Sequence, residues 1–378
     1  MALTNFANLT TEQLTVWSRD LWAAARNKMF LGNFAGTGQN AMIQRIKELK
    51  KGPGGAARAV ITLVTDMEGD GVVGDNQLEG NEEALKAYDQ VIQIDQLRSA
   101  NRHEGRMAEQ RSVVSFREQS KDKLSYWLAD RCDQLAFLTL SGISYAQKTN
   151  GVARVGSQLP FLTFAADVTA PTAKRYRVWN GSTKAFRAEG ATNANLVAAD
   201  VPQWELLLAA KRHCVENYIR PITTESGIEV YNVFMSPAGI QALKKDTNFL
   251  AAWQNAQKRG EENPLFKGTP HGGVNGFYVD GMNILEYRYV YNTLGAASGS
   301  KWGDNTIDGQ RVLVCGAQAL GMADIGMPTW DEELFDFGNS PGIATGKIFG
   351  FKKPVFRSIQ SGTNEDHGIL CIDTAIPA

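Results

Sequence analysis

The sequence predicts an α+β chain in which helices and strands are segregated, without the βαβ alternation of a doubly wound sheet. Two observations carry this. From Ala108 to Leu140 apolar residues recur at three-to-four spacing with no glycine or proline for about nine helical turns. Strand-like segments then gather late in the chain, at Val230 to Phe234, Phe277 to Tyr291, Arg311 to Cys315 and Gly368 to Ile372.

In chain order, Leu9 to Leu14 reads as a helix start, with Thr10 as cap, Gln13 closing the capping box and Leu9 stapling onto Leu14. Leu14, Trp17, Leu21 and Ala25 follow as one apolar stripe. After a break at Gly32, Gly36 and Gly38, a second short helix is expected with Ile43, Ile46 and Leu49 on one face, ended by Gly52-Pro53-Gly54-Gly55. These two small helices look like an arm with little to bury against its own chain. Ala59 to Thr65 is a β-branched run, and Tyr88 to Leu97 alternates Ile92 and Ile94 with polar residues. The glycine-punctuated acidic stretch between them predicts a long hairpin with an exposed end. Val113, Phe116, Leu124, Trp127, Leu128, Leu135 and Leu138 mark the long helix, stopped at Ser141-Gly142. Gly151 to Ala199 has no clean period. A helix is expected over Val201 to Tyr218, and another opens at Ser236-Pro237 and runs through Ile240, Leu243, Leu250 and Trp253.

A length of 378 residues predicts two or three subdomains. Lys plus Arg is 39 and Asp plus Glu is 40, which excludes holding nucleic acid or an acidic membrane by overall charge. Cys132, Cys214, Cys315 and Cys371 form no close pair, so neither a disulfide framework nor a zinc spacing is present and a reducing compartment is expected. The start of the chain lacks a signal-peptide pattern, and no apolar run approaches the roughly 20 residues of a membrane span. A product that stays soluble where it is made is expected.

Gly69 to Gly74 matches GxGxxG, but Asp66, Glu68 and Asp70 crowd negative charge where a pyrophosphate would bind, and breakers prevent a following helix. Gly36 to Ala41 is a second near-match without a preceding strand, and reads as a hinge. Asp66, Glu68, Asp70 and Gly71 resemble half an EF-hand loop, yet Gln77 stands where the bidentate Glu belongs. Gly338 to Gly342 matches GxSxG, but Pro341 has no N–H for an oxyanion hole, so a turn is expected. His103-Glu104 lacks a second histidine, and His103, His213, His271 and His367 are scattered. Cys132 and Cys214 sit in helical patterns as core residues. No catalytic constellation, metal site or cofactor site is predicted.

Charge is unevenly placed. Residues 1–58 carry eight basic and three acidic residues, a balance of +5, whereas residues 59–95 carry nine acidic residues and Lys86, a balance of −8. Two appendages of opposite sign predict contacts between copies, with charge setting register. The candidate inter-subunit residues are Asp66, Glu68, Asp70, Glu79, Glu82 and Glu83 on the acidic side, and Arg45, Lys47, Lys50 and Lys51 on the basic side.

The order of arm, extended loop, long helix and mixed body resembles the tailed-bacteriophage major capsid protein family. The resemblance rests on Glu68-Gly69-Asp70-Gly71, Leu78 to Glu83, Asp95-Gln96-Leu97-Arg98, Arg106-Met107, Trp127 to Asp133, Phe349 to Lys353 and His367 to Asp373. It is most specific from Val60 to Gly142 and weakest from Gly151 to Ala199. It implies an N-arm over 1–58, an extended loop over 59–107 lying on a neighbour, a peripheral domain over 108–200 and 331–378 with a spine helix over 108–140, and an axial domain over 201–330.

The implied function is structural and not enzymatic: self-assembly, as pentamers and hexamers, into an icosahedral shell around phage double-stranded DNA. Implied partners are other copies, scaffolding and portal proteins, decoration proteins, and packaged DNA held by non-specific phosphate contact, with no membrane. The location is the virion, after assembly in the host cytoplasm. The readings set against it are an encapsulin-like compartment shell and a calcium- or nucleotide-binding enzyme. No residue pair marks a cross-link.

Overall fold

The structure, a computed structural model, describes residues 11–51, 57–64, 71–82, 87–105, 107, 115–224, 227–254, 276–357 and 362–377. From the N-terminus come α1 (Thr11–Lys28), β1 (Ala35–Gly36), β2 (Ile43–Ile46), β3 (Lys50–Lys51), β4 (Ala57–Val64), β5 (Ala87–Ile92) and β6 (Asp95–Arg102). Then follow α2 (Phe116–Ser141), β7 (Tyr176–Asn180), β8 (Ala185–Phe186), α3 (Trp204–Glu216), β9 (Ile222–Thr223) and β10 (Glu229–Met235). The rest is α4 (Pro237–Lys245), α5 (Thr247–Gln254), β11 (Gly276–Val279), β12 (Met282–Glu286), β13 (Gly309–Cys315), β14 (Leu320–Phe335), β15 (Ser340–Lys352), β16 (Val355–Arg357), β17 (Asn364–Asp366) and β18 (Ile369–Ala375).

The larger sheet runs β11-β12-β10-β13-β18-β7-β8. β13 and β18 are buried along their whole length, the pattern of strands covered on both faces. Phe234, Leu313, Cys315, Ile369 and Cys371 face one core with α2, whereas Val233, Met235, Val312, Val314, Leu370 and Ile372 face a second core with α3, α4 and α5. The smaller sheet runs β1-β2-β14-β15-β6 and packs one face on α1 and α2, so the first core is shared by both sheets.

The long helix is polar at its start and buried from Cys132 to Ser141. It ends as its composition demands. Gly142 takes φ +66° and its N–H returns to the Leu138 and Thr139 carbonyls, while a Cβ there would lie 2.5 Å from the Thr169 carbonyl oxygen. The helix does not run unbroken from Ala108 as expected, because Ser115 is extended (φ −66°, ψ 119°) and caps a helix that begins at Phe116; residues 108–114, and Thr10 with its staple, lie outside the described residues.

Several expectations are corrected. Ile43 to Ile46 is a strand, not a helix: it pairs in parallel with β14, Ile43 opposite Leu320, and the ladder overrides the three-residue spacing of two isoleucines. Tyr88 to Leu97 divides between β5, which pairs with β4, and β6, which pairs with β15. The helix opened by Ser236 breaks at Asp246, whose carboxylate accepts from the N–H groups of Phe249 and Trp204. Phe277 to Tyr291 contains a turn at Asp280 and Gly281, both with positive φ, between β11 and β12. The 338–342 turn lies earlier, at Asp336 to Gly338, and Ser340 already belongs to β15. The β14–β15 hairpin itself was not expected. Strand pairing also groups segments distant in sequence: β14 spans residues 330 and 331, and β18 lies in the larger sheet beside β13.

Candidate functional site

The arm is expected to find its core in a neighbour, but its described residues 11–51 are folded onto their own chain. Leu21, Trp22, Ala25 and Met29 of the α1 region are buried in the core shared with α2. Trp17 stacks on Trp330 of β14 at 5.5 Å, and the Ser18 hydroxyl donates to the Pro328 carbonyl. The amphipathic stripe was legible, but its acceptor, the β14–β15 hairpin, was not.

Two buried acids fasten this docking. Asp133 of α2 accepts from the N–H groups of Phe30 (2.8 Å) and Leu31 (3.2 Å) and from the Tyr287 hydroxyl (2.9 Å), while Phe30 and Tyr287 stack at 3.8 Å. Burial pushes the Asp133 carboxyl up to about 6, against the opposing pull of those three donors. Asp324 of β14 pairs with the fully buried Lys347 of β15 at 2.6 Å and with Arg45 at 3.6 Å. The Lys347 ammonium also lies 4.5 Å from the Trp22 ring centre and donates to the Gly326 carbonyl at the irregularity in β14. Arg45, expected at an interface, is therefore engaged within its own chain.

The hairpin β4–β5 has a rooted base and an exposed end. Ala59, Ile61 and Ile92 form a third core with Ala323 on the face of the smaller sheet away from α2. Lys352 reaches both the Val91 carbonyl (2.9 Å) and Asp167 (3.0 Å), and Asp167 accepts from the Gln93 N–H. By contrast, every residue from Val73 to Glu82 is exposed, including Val73 at 79% and Leu78 at 60%. Gly71, Gly74 and Gly80 take positive φ there, and Glu82 accepts from the Gly80 N–H at 2.8 Å. No helix follows Gly74 before residue 83, so the GxGxxG match has no phosphate-binding helix start.

Among the candidate residues, Glu79 and Glu82 thus stand at the exposed end, and Lys47 is exposed beyond β2. Lys50 and Lys51 form β3, which pairs with β4. Asp66, Glu68, Asp70 and Glu83 lie outside the described residues.

The described cysteines, Ser340 and His213 are each held in packing or hydrogen-bond contacts. All four cysteines are buried and unbridged, and burial pushes the thiols of Cys214 and Cys371 up to about 12. The Ser340 hydroxyl donates to the His103 carbonyl and accepts from Arg102. His213 is packed under a fixed contact to the Lys174 carbonyl at 2.9 Å. Among the described residues no three His, Cys, Asp or Glu side chains gather as metal ligands, and no helix is long and apolar enough to cross a membrane.

Cores closed within one chain thus stand beside an exposed, charged hairpin end. Residues 5–378 match the family described as phage capsid protein. The chain is 54% identical over 374 residues, 98% of its length and 97% of the relative's, to the major capsid protein of Pseudomonas phage KPP25. The chain belongs to the phage capsid protein family. Its fold is that of tailed-phage capsids: the capsid of Ralstonia phage GP4 superposes with a TM-score of 0.70 at 26% identity, covering 92% of this chain and 90% of that one. The capsid of cyanophage Pam1 gives 0.67 at 19% identity, covering 100% and 96%.

Proposed function

We propose that the chain is a tailed-phage major capsid protein, copies of which assemble as pentamers and hexamers into an icosahedral shell around double-stranded DNA. The observation that carries this reading is the 54% identity to a major capsid protein across 98% of the chain. In this reading α1, α2 and the smaller sheet form the peripheral domain. The larger sheet with α3, α4 and α5 forms the axial domain, and β4–β5 is the extended loop reaching a neighbour.

Mechanism here is assembly energetics. Each copy spreads modest contacts over several neighbours, and closure of the shell multiplies them. The acidic end of the hairpin, with Glu79, Glu82 and the adjoining Asp66, Glu68, Asp70 and Glu83, meets basic residues of the next copy. Lys47, Lys50 and Lys51 are the candidates on the basic side. Scaffolding, portal and decoration proteins and non-specific DNA contact complete the proposed partners, with assembly in the host cytoplasm and residence in the virion.

Sedimentation and electron microscopy of the purified full chain test the reading. Capsomers or closed shells are expected. A monodisperse monomer that binds calcium or nucleotide would overturn it.

A further inference from the structure

Arg131 of α2 and Arg288 of the turn after β12 meet at one carboxylate, and Arg154 of the loop after α2 joins them through Gln134 while its Nε donates to the Gln147 carbonyl. Asp130 receives Arg131 at 3.1 Å and Arg288 at 3.4 Å, together with the Tyr289 hydroxyl. The neutral side-chain oxygen of Gln134 is shared by two guanidinium groups, Arg131 at 2.8 Å and Arg154 at 2.9 Å. Three guanidinium groups thus stand near two carboxylates, Asp130 and the buried Asp133 behind it, an excess of one positive charge. The donors are also in excess: Arg131 Nε is buried without a hydrogen-bond partner. Burial, then repulsion from Arg131, pulls the Arg154 guanidinium below its ordinary range. The cluster remains open to solvent through Arg288, whose side chain is 58% exposed.

We propose that this arginine cluster binds a backbone phosphate of the enclosed double-stranded DNA. A guanidinium offers planar N–H pairs that match two phosphate oxygens, and a phosphodiester supplies the negative charge and the acceptors that Asp130 and Gln134 leave unmet. Three donors of one kind around a point, with Tyr126 and Tyr289 as the neighbouring hydroxyls, position a backbone and read no base edge. The proposal rests on the capsid reading and adds to it the place where the shell meets its contents.

The test is the salt dependence of binding of the full-length chain to a mixed-sequence DNA duplex, followed by fluorescence anisotropy. Each phosphate contact contributes about −0.9 to the slope of log K against log salt concentration. Arg288→Gln should flatten the slope by about 0.9, and Arg154→Gln with Arg288→Gln by about twice that, equally for unrelated sequences. Arg288→Lys should keep the wild-type slope. Because Arg288 is exposed, its single variant carries the test even where the double variant misfolds. An unchanged slope in folded Arg288→Gln overturns the proposal. So does a variant that assembles poorly with an unchanged slope, which would assign the cluster to a carboxylate of another protein chain. Normal shells with an unchanged slope refute the phosphate site while leaving the capsid reading intact, whereas a wild-type chain that never assembles fails that reading itself.

Discussion

Replacing Asp133 by Asn tests the clasp that holds the arm to the long helix. The carboxyl is 1% exposed and is pushed from its ordinary 3.8 up to about 6, chiefly by burial. Because the folded value lies above the unfolded one, this group's contribution to stability is fully present below about pH 3.8 and is lost as pH rises through about 6. A shift of about two pKa units corresponds to about 3 kcal/mol. Asn keeps the shape but has no proton to lose. Its amide presents one acceptor instead of two to Phe30, Leu31 and Tyr287, which adds a penalty independent of pH. Stability of wild type relative to Asp133→Asn should therefore fall by about 3 kcal/mol between about pH 3.5 and pH 7.5. Urea unfolding of both proteins across that range measures it, and hydrogen exchange at the Phe30 and Leu31 amides locates it. A stability difference that stays flat with pH would refute the assignment of this burial cost to Asp133.

Other consequences are direct. Leu21→Ala empties a fully buried position between α1 and the shared core and should cost about 2–5 kcal/mol; thermal unfolding measures it, and early proteolysis of the arm should accompany it. Arg311→Leu strands the fully buried Asp373, which Arg311 holds at 2.7 Å and 2.8 Å, and should cost about 3–5 kcal/mol. Unfolding within 1 kcal/mol of wild type, roughly, would show that the pair is relaxed by water. Reversing Glu82 and Glu83 to Lys should leave monomer stability unchanged but impair assembly or make it strongly salt dependent, as read by sedimentation; normal particles at low and high salt would remove the hairpin end from the interface.

What was legible in the sequence follows from where each signal is stored. The long helix declares itself because its apolar spacing and its stop at Gly142 are local. β13 and β18 declare themselves because burial on both faces makes them continuous apolar runs. β14 and β15 do not, because their glycines look like breakers and are in fact contact points. A Cβ on Gly350 would lie 2.0 Å from the Gln93 carbonyl oxygen, and one on Gly321 would lie 2.9 Å from the Ile92 side chain. The β4–β5 hairpin approaches too closely for a side chain there, a demand made by residues more than two hundred positions away. Ile43 fails for the same reason, since its strand exists through the pairing with Leu320. The β4–β5 hairpin is legible from its β-branched run, its alternating run and the glycines between them, all local properties. The arginine cluster was missed, because Arg131, Arg154 and Arg288 come from three separate segments with no common spacing.

The docking of α1 changes how the charge of the arm should be understood. Charge alone sets its basic residues against the acidic hairpin as a second free appendage. Instead, Leu21, Trp22, Ala25, Phe30 and Leu31 tie the arm down along its length, and Arg45 closes an internal pair with Asp324. Arg19, Arg26 and Lys28 remain exposed on a helix whose position is already fixed. Fixed surfaces lose little conformational entropy when they meet a partner, whereas a free arm loses about 1–2 kcal/mol of backbone freedom for each residue it orders. Among the described residues of the two oppositely charged blocks, the end of the hairpin is exposed throughout from Val73 to Glu82, and it carries the apolar Val73 and Leu78. In the proposed assembly, rigid faces would meet first and the hairpin end last, so the ordering step would follow once neighbours are held in register.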